Sequence, residues 1–152
     1  MSLVDLLWGL DLIVGRARAV GAEFLLSGPV NQWLQGMRRA AEPRVVLLTS
    51  PLYQEDLVRA ITIGSEPEDY PGDLRIEDGL VLHVNLRGMS TSIVVDPLVR
   101  TANGLMRVRI SEYARQAGHA LIEDMIVRLS PPELERIIWG GQGGEVEEGL
   151  EE

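Results

Sequence analysis

The apolar positions Leu3, Leu7, Leu10, Val14, Ala17, Gly21 and Phe24 recur at alternating steps of four and three, the spacing of one helix face. Ser2 and Asp5 stand where a capping box would open that helix. Gly9, Gly15 and Gly21 weaken it, so residues 20–27 read equally as a short strand. Gly28 and Pro29 punctuate, and Pro29 opens a second helix to about Ala41 with Trp33, Leu34 and Met37 on its apolar side. Pro43 ends it. Arg44–Ser50 is then short, β-branched and apolar, the pattern of a buried strand, and Ser50-Pro51 starts a helix that buries Leu52, Leu57, Val58 and Ile61, with Ile63 a further candidate.

After a polar loop (GSEPEDYPGD), Leu74, Ile76, Leu80, Leu82, Val84 and Leu86 alternate around Glu77-Asp78-Gly79. A three-residue loop with Gly79 left-handed pairs Ile76 with Leu80 and Leu74 with Leu82, giving a hairpin over 74–87 with one apolar face. Ser90–Ser92 cap the next stretch. Val99, Ala102, Met106, Ile110, Tyr113, Ala117 and Leu121 suggest a long helix over 92–118, extending toward 129. Pro97 is tolerated only in a first turn, so the alternative is a start near Asp96 with Ile93–Val95 extended. Ser130-Pro131-Pro132 caps a short last helix ending at Trp139. These elements predict an α+β protein: an N-terminal helical extension over 1–42, a core domain over 43–129, a short helix over 130–139 and a disordered acidic tail over 140–152.

Composition changes this picture little. An apolar fraction of 45% and a charged fraction of 24% suit a globular chain. The absence of cysteine removes disulfides, thiolate metal sites and cysteine nucleophiles. The net charge of −9 argues against autonomous nucleic-acid binding. Every basic residue is arginine, which a GC-rich genome or a hot habitat would explain. The apolar N-terminus is interrupted by Asp5 and Asp11 and is too short to span a bilayer, so the expected location is the cytoplasm, with no membrane contact.

Candidate chemistry is sparse. His83 is expected on the outward face of the hairpin and His119 near a helix break, neither with a partner at ligand spacing. Glu66, Glu68 and Asp69 form an acidic loop, read as solvated; GGQGG follows a helix and is no phosphate loop. The chain is therefore expected to be no enzyme, with no catalytic residue, no metal site and no cofactor. One polar pattern stands out: Arg100, Asn103 and Arg107 share a face of the expected long helix, with Gly104 beside them and Asp96 one turn before Arg100. It reads either as a solvated face or as a partner-binding stripe of Arg100, Asn103, Gly104 and Arg107.

The SEPEDYP loop leading into LRIEDGLVLHV, with Leu98, Arg100, Thr101, Asn103, Leu105 and Arg107 after it, resembles the Pcc family, the small dimerising subunit of the KEOPS complex, or an archaeal paralogue of it. The likeness covers residues 44–118. It implies a three-stranded antiparallel sheet backed by two helices, and a homo- or heterodimer with a Pcc-type subunit that docks the catalytic transferase subunit. The implied role is a non-catalytic scaffold in threonylcarbamoyladenosine modification, touching tRNA only indirectly. A structural assembly protein, such as a virion neck or capsid component, is the alternative expectation.

Overall fold

The computed structural model describes residues 2–139, so the expected tail over 140–152 lies outside the described residues. One mixed sheet of eight strands organises the chain. The elements are α1 (Leu3–Ala19), β1 (Leu25–Ser27), α2 (Pro29–Leu34), β2 (Arg44–Thr49), α3 (Gln54–Thr62), β3 (Glu66–Pro67), β4 (Ile76–Leu86), β5 (Met89–Thr101), β6 (Gly104–Arg107), β7 (Gly118–Ile122), β8 (Met125–Leu129) and α4 (Pro132–Trp139). The strand order is β3-β4-β5-β2-β1-β8-β7, with β6 paired to the far end of β5. β2 runs parallel to β5 and β1 parallel to β8; the remaining pairs are antiparallel.

Each face of the sheet has its own core. α1 and α3 cover one face, where Leu6, Leu10, Ile13 and Val14 meet Leu26, Leu47, Leu57, Ile61, Ile93 and Val127. Leu10, Ile13, Leu47 and Ile93 are fully buried, each worth about 1.5–3 kcal/mol of hydrophobic stabilisation. The α1 helix starts as its sequence predicts, with the Ser2 hydroxyl accepting from the Asp5 amide and arginines 16 and 18 in the last turn. Leu3, expected on its buried stripe, is exposed. On the other face, α4 lays Leu134, Ile138 and Trp139 on Val46, Leu48, Val94 and Val99. β2 is buried along its whole length because it is central and covered on both sides. Residues 1–42 supply α1, β1 and α2, and β1 lies inside the sheet between β2 and β8.

The expected three-stranded sheet backed by two helices is overturned. The hairpin turn sits at Arg87-Gly88, both with positive φ, joining β4 to β5 by Leu86 paired with Met89. That is the backbone a tight two-residue hairpin needs. Gly79 is not a turn but a bulge within β4, where the register shifts three times between Ile76 and Leu82. A side chain there would strike Pro97 Cα at 2.7 Å, and the residue has φ +113.

The long helix over 92–118 does not exist either. Ser90–Val95 is a β-branched run in the sheet interior, hydrogen-bonded on both sides. Pro97 is accommodated just past a kink at Asp96, which has φ +36, and its carbonyl accepts from the Val108 amide at 2.8 Å. The apolar stripe from Val99 to Leu121 is thereby divided among β5, β6, a 3₁₀ turn over Ile110–Gln116 and β7. Among the described residues, no helix is long and apolar enough to cross a membrane.

Candidate functional site

The polar residues of the α4-covered face gather where β1 ends and β2 begins. Leu25–Leu26 hold β1 in the core, so Ser27 and Gly28 are delivered beneath α4 at the start of α2. Gly28 has φ +96, and a Cβ there would meet the Trp139 ring at 3.2 Å and the Arg44 carbonyl at 3.3 Å. Only glycine meets both conditions.

A carboxylate occupies this corner. Glu135, fully buried on α4, accepts from the Ser27 hydroxyl at 2.5 Å, the Gly28 amide at 3.0 Å and Gln32 Nε2 at 3.2 Å. Trp139 Nε1 donates to Ser27 Oγ at 3.0 Å, which leaves the Ser27 proton for the carboxylate. Burial pushes the Glu135 carboxyl above its usual range, opposed by its bonds to Ser27 and Gly28 and by Asn31 and Ser130. The Ser130 hydroxyl, itself fully buried, makes no hydrogen bond of ordinary geometry among the described residues. The corner is thus a cradle of donors around a buried carboxyl group.

Beside it, Arg44 opens β2. Its Nε and Nη2 make a fork with Asp73, both bonds 2.9 Å, and its Nη1 donates to Ser92 Oγ at 2.9 Å. The guanidinium carbon lies 5.8 Å from the Trp139 ring centroid, within cation–π range. Ser92, adjacent on β5, meets His83 Nδ1 at 2.7 Å, and His83 Nε2 lies 2.8 Å from Glu68. Glu68 also accepts from Ser90 at 2.6 Å and Asn85 at 3.1 Å. Burial raises the Glu68 carboxyl, but the bonds from Ser90 and Asn85 and the nearby His83 outweigh it, and the net shift is downward. A continuous polar chain therefore crosses β4, β5 and β2: Glu68, His83, Ser92, Arg44, Asp73.

Most of the residues singled out by sequence lie elsewhere. Arg100 and Arg107 do share one surface, but through strand pairing, since Arg100 faces Leu105 and Arg107 faces Leu98 across β5 and β6. Arg100 pairs with Glu77 at 3.0 Å and Arg107 with Asp78 at 3.5 Å, both exposed. Asn103 occupies the turn between these strands and Gly104 opens β6. His119 is exposed on β7 opposite Arg128. His83 is buried, contrary to the outward position expected, because the bulged β4 register points it at Ser92. Of the acidic loop, Glu66 is exposed in β3 while Glu68 turns inward to His83.

Sequence reasoning passed over Ser27, Arg44, Ser92 and Glu135. Two signals were present: a charged residue heading an otherwise apolar strand, and a glutamate between buried Leu134 and Ile138 on a short amphipathic helix.

The donors suit an anion better than a divalent cation. A divalent cation asks for carboxylate oxygens free to coordinate it. Here Asp73 is committed to Arg44, and Glu135 faces three donors. Among the described residues, no group of three His, Cys, Asp or Glu is placed to hold a metal.

No protein-family model and no curated protein sequence matches the chain. Solved structures do. A protein of Thermotoga maritima provisionally named a nucleotidyltransferase superimposes with a TM-score of 0.68 at 15% identity, over 98% of this chain and 91% of its own. The lincosamide antibiotic adenylyltransferase LnuA, in its lincomycin-bound form, superimposes with a TM-score of 0.58 at 10% identity, over 99% and 97%. The expectation of a non-catalytic KEOPS-like scaffold, and of a chain that is no enzyme, is overturned by these neighbours: the chain has a nucleotidyltransferase-like fold, not the Pcc-type sheet from which that role was drawn.

Proposed function

We propose that this chain handles a nucleotide in a nucleotidyltransferase-like role, with the nucleotide's phosphates seated at the Ser27–Gly28–Gln32 cradle and drawn by Arg44. The observation that carries the reading is the cradle itself: three donors converge on a buried carboxylate at the mouth of β1, in a fold shared from end to end with the two neighbours. A phosphate oxygen has the same charge and acceptor character as the carboxylate it would replace, and offers more acceptors to the same donors. Arg44 supplies a permanent positive charge that Asp73 and Ser92 hold in place. Ser92 and His83 extend that support to Glu68, so the guanidinium is braced from both sides.

The test is calorimetric titration of the full chain with ATP, GTP, CTP and UTP, with and without magnesium, followed by incubation with α-labelled nucleotide and candidate acceptors. Saturable binding that Arg44→Met with Asp73→Leu abolishes supports the reading, and label transferred to an acceptor extends it to catalysis. Absence of binding to any nucleotide by a folded chain refutes it.

A further inference from the structure

We propose that α4 is a displaceable plug whose Glu135 carboxylate stands in for a ligand phosphate, so that nucleotide and α4 compete for the same donors. This rests on the nucleotide reading above and adds how access to that site is controlled.

Three observations converge on it. The first is substitution of one anion for another: Ser27, Gly28 and Gln32 all present donors, and the acceptor meeting them is carried by α4 rather than by the sheet. The second is a weakly engaged donor. Ser130 Oγ is buried beside Glu135 and pulls its carboxyl pKa downward, yet makes no hydrogen bond of ordinary geometry while α4 is docked. A tetrahedral phosphate, with acceptors in three further directions, can meet it with better geometry than a planar carboxylate. The third is Trp139. Its ring covers the Arg44 guanidinium and its indole N–H occupies the Ser27 hydroxyl, so one residue of α4 shields both the cation and the cradle.

The plug is also suited to leaving. An eight-residue helix is not stable on its own and exists here only through what it packs on. It follows the Ser130-Pro131 turn after β8 and is the last described element, so its departure breaks no strand pairing. One backbone tie that release would break is the Ile138 carbonyl, which accepts from the Arg75 amide at 2.8 Å. Release would uncover Leu134, Ile138 and Trp139 together, converting ligand binding into exposure of an apolar surface.

The experiment uses the full chain carrying Trp8→Phe and Trp33→Phe, which leaves Trp139 as the sole tryptophan. Acrylamide quenching of its fluorescence is followed while ATP is added, in parallel with equilibrium dialysis of labelled ATP; inorganic triphosphate repeats the titration without the nucleoside. The expected result is low quenching at rest and a severalfold rise that saturates with the dialysis curve. Glu135→Gln, which turns an amide N–H₂ toward the cradle donors, should bind ATP roughly tenfold more tightly. Binding seen only in Glu135→Gln overturns the plug, because ATP then fails to displace α4 from its own cradle. ATP bound while Trp139 stays shielded overturns the plug and leaves the nucleotide reading standing. No ATP bound by either folded protein overturns the nucleotide reading, and the plug with it. Should Glu135→Gln fail to fold, the quenching and dialysis curves of the chain with Glu135 intact still decide between these results.

Discussion

The two faces of the sheet are built on different principles. The face under α1 and α3 is apolar throughout, from Leu6 to Val127, and its side chains ask only to be packed. The face under α4 has an apolar core of similar kind, but Ser27, Arg44, Ser92, His83 and Glu135 cut through it. Burying such groups costs free energy even when each is hydrogen-bonded, and well-packed apolar residues would often serve stability as well or better. The face that carries this cost is the one on which the proposed nucleotide site lies.

The comparison breaks most visibly on the apolar face. Leu47→Asp places an unpaired charge between α1 and the sheet and should abolish cooperative unfolding altogether, seen as loss of the thermal transition by circular dichroism. On the polar face, Arg44→Ala strands Asp73 and Ser92 and should cost about 3 kcal/mol. The paired change Arg44→Met with Asp73→Leu should recover most of that in urea unfolding while nucleotide binding stays lost. If the pair remains as unstable as the single variant, the network is there for stability.

Acidity separates two carboxylates of the polar face. Glu135 has a folded-state value above the ordinary 4.5. Its contribution is complete below that value and is lost as pH rises through the raised one. Glu68 is depressed below 4.5, so its contribution is complete above 4.5 and is lost as pH falls through the lowered value. Urea melts across this range should therefore show Glu135→Gln removing a decline on the alkaline side, and Glu68→Gln removing one on the acid side. The smallest effect belongs outside both faces. Arg100→Ala with Arg107→Ala breaks only exposed pairs and should change stability by less than about 1 kcal/mol.

What was legible in the sequence follows the same division. α1, β2 and α4 could be read because their periodicity or apolar run answers to a single packing surface. β4 and β5 could not. Asp78-Gly79 carries the composition of a hairpin turn, yet Gly79 is needed for close approach to Pro97, while the true turn has Arg87 at a positive φ that few arginines adopt. The stripe from Val99 to Leu121 matches a helical period by coincidence; Val99 is instead buried in β5, and a tight turn after Thr101 folds the exposed strand β6 back along β5. The site was missed for a related reason. Ser27, Arg44, Ser92 and Glu135 are separated by up to 108 residues and carry no shared local motif. Only the sheet order, with β1 beside β2 and β2 beside β5, brings them together.

An open cleft of about 810 Å³ shares no lining residue with this chemistry; it lies between α1 and two hairpin turns and is lined by Asp5, Trp8, Asp11, Arg87, Glu123 and Asp124. It supplies the control for the most direct test of nucleotide handling under α4. ATP binding is measured by equilibrium dialysis on the parent chain, on Ser27→Ala and on Trp8→Ala, each verified as folded. The account predicts that Ser27→Ala loses binding and Trp8→Ala retains it; undiminished binding by Ser27→Ala, or loss confined to Trp8→Ala, would contradict it.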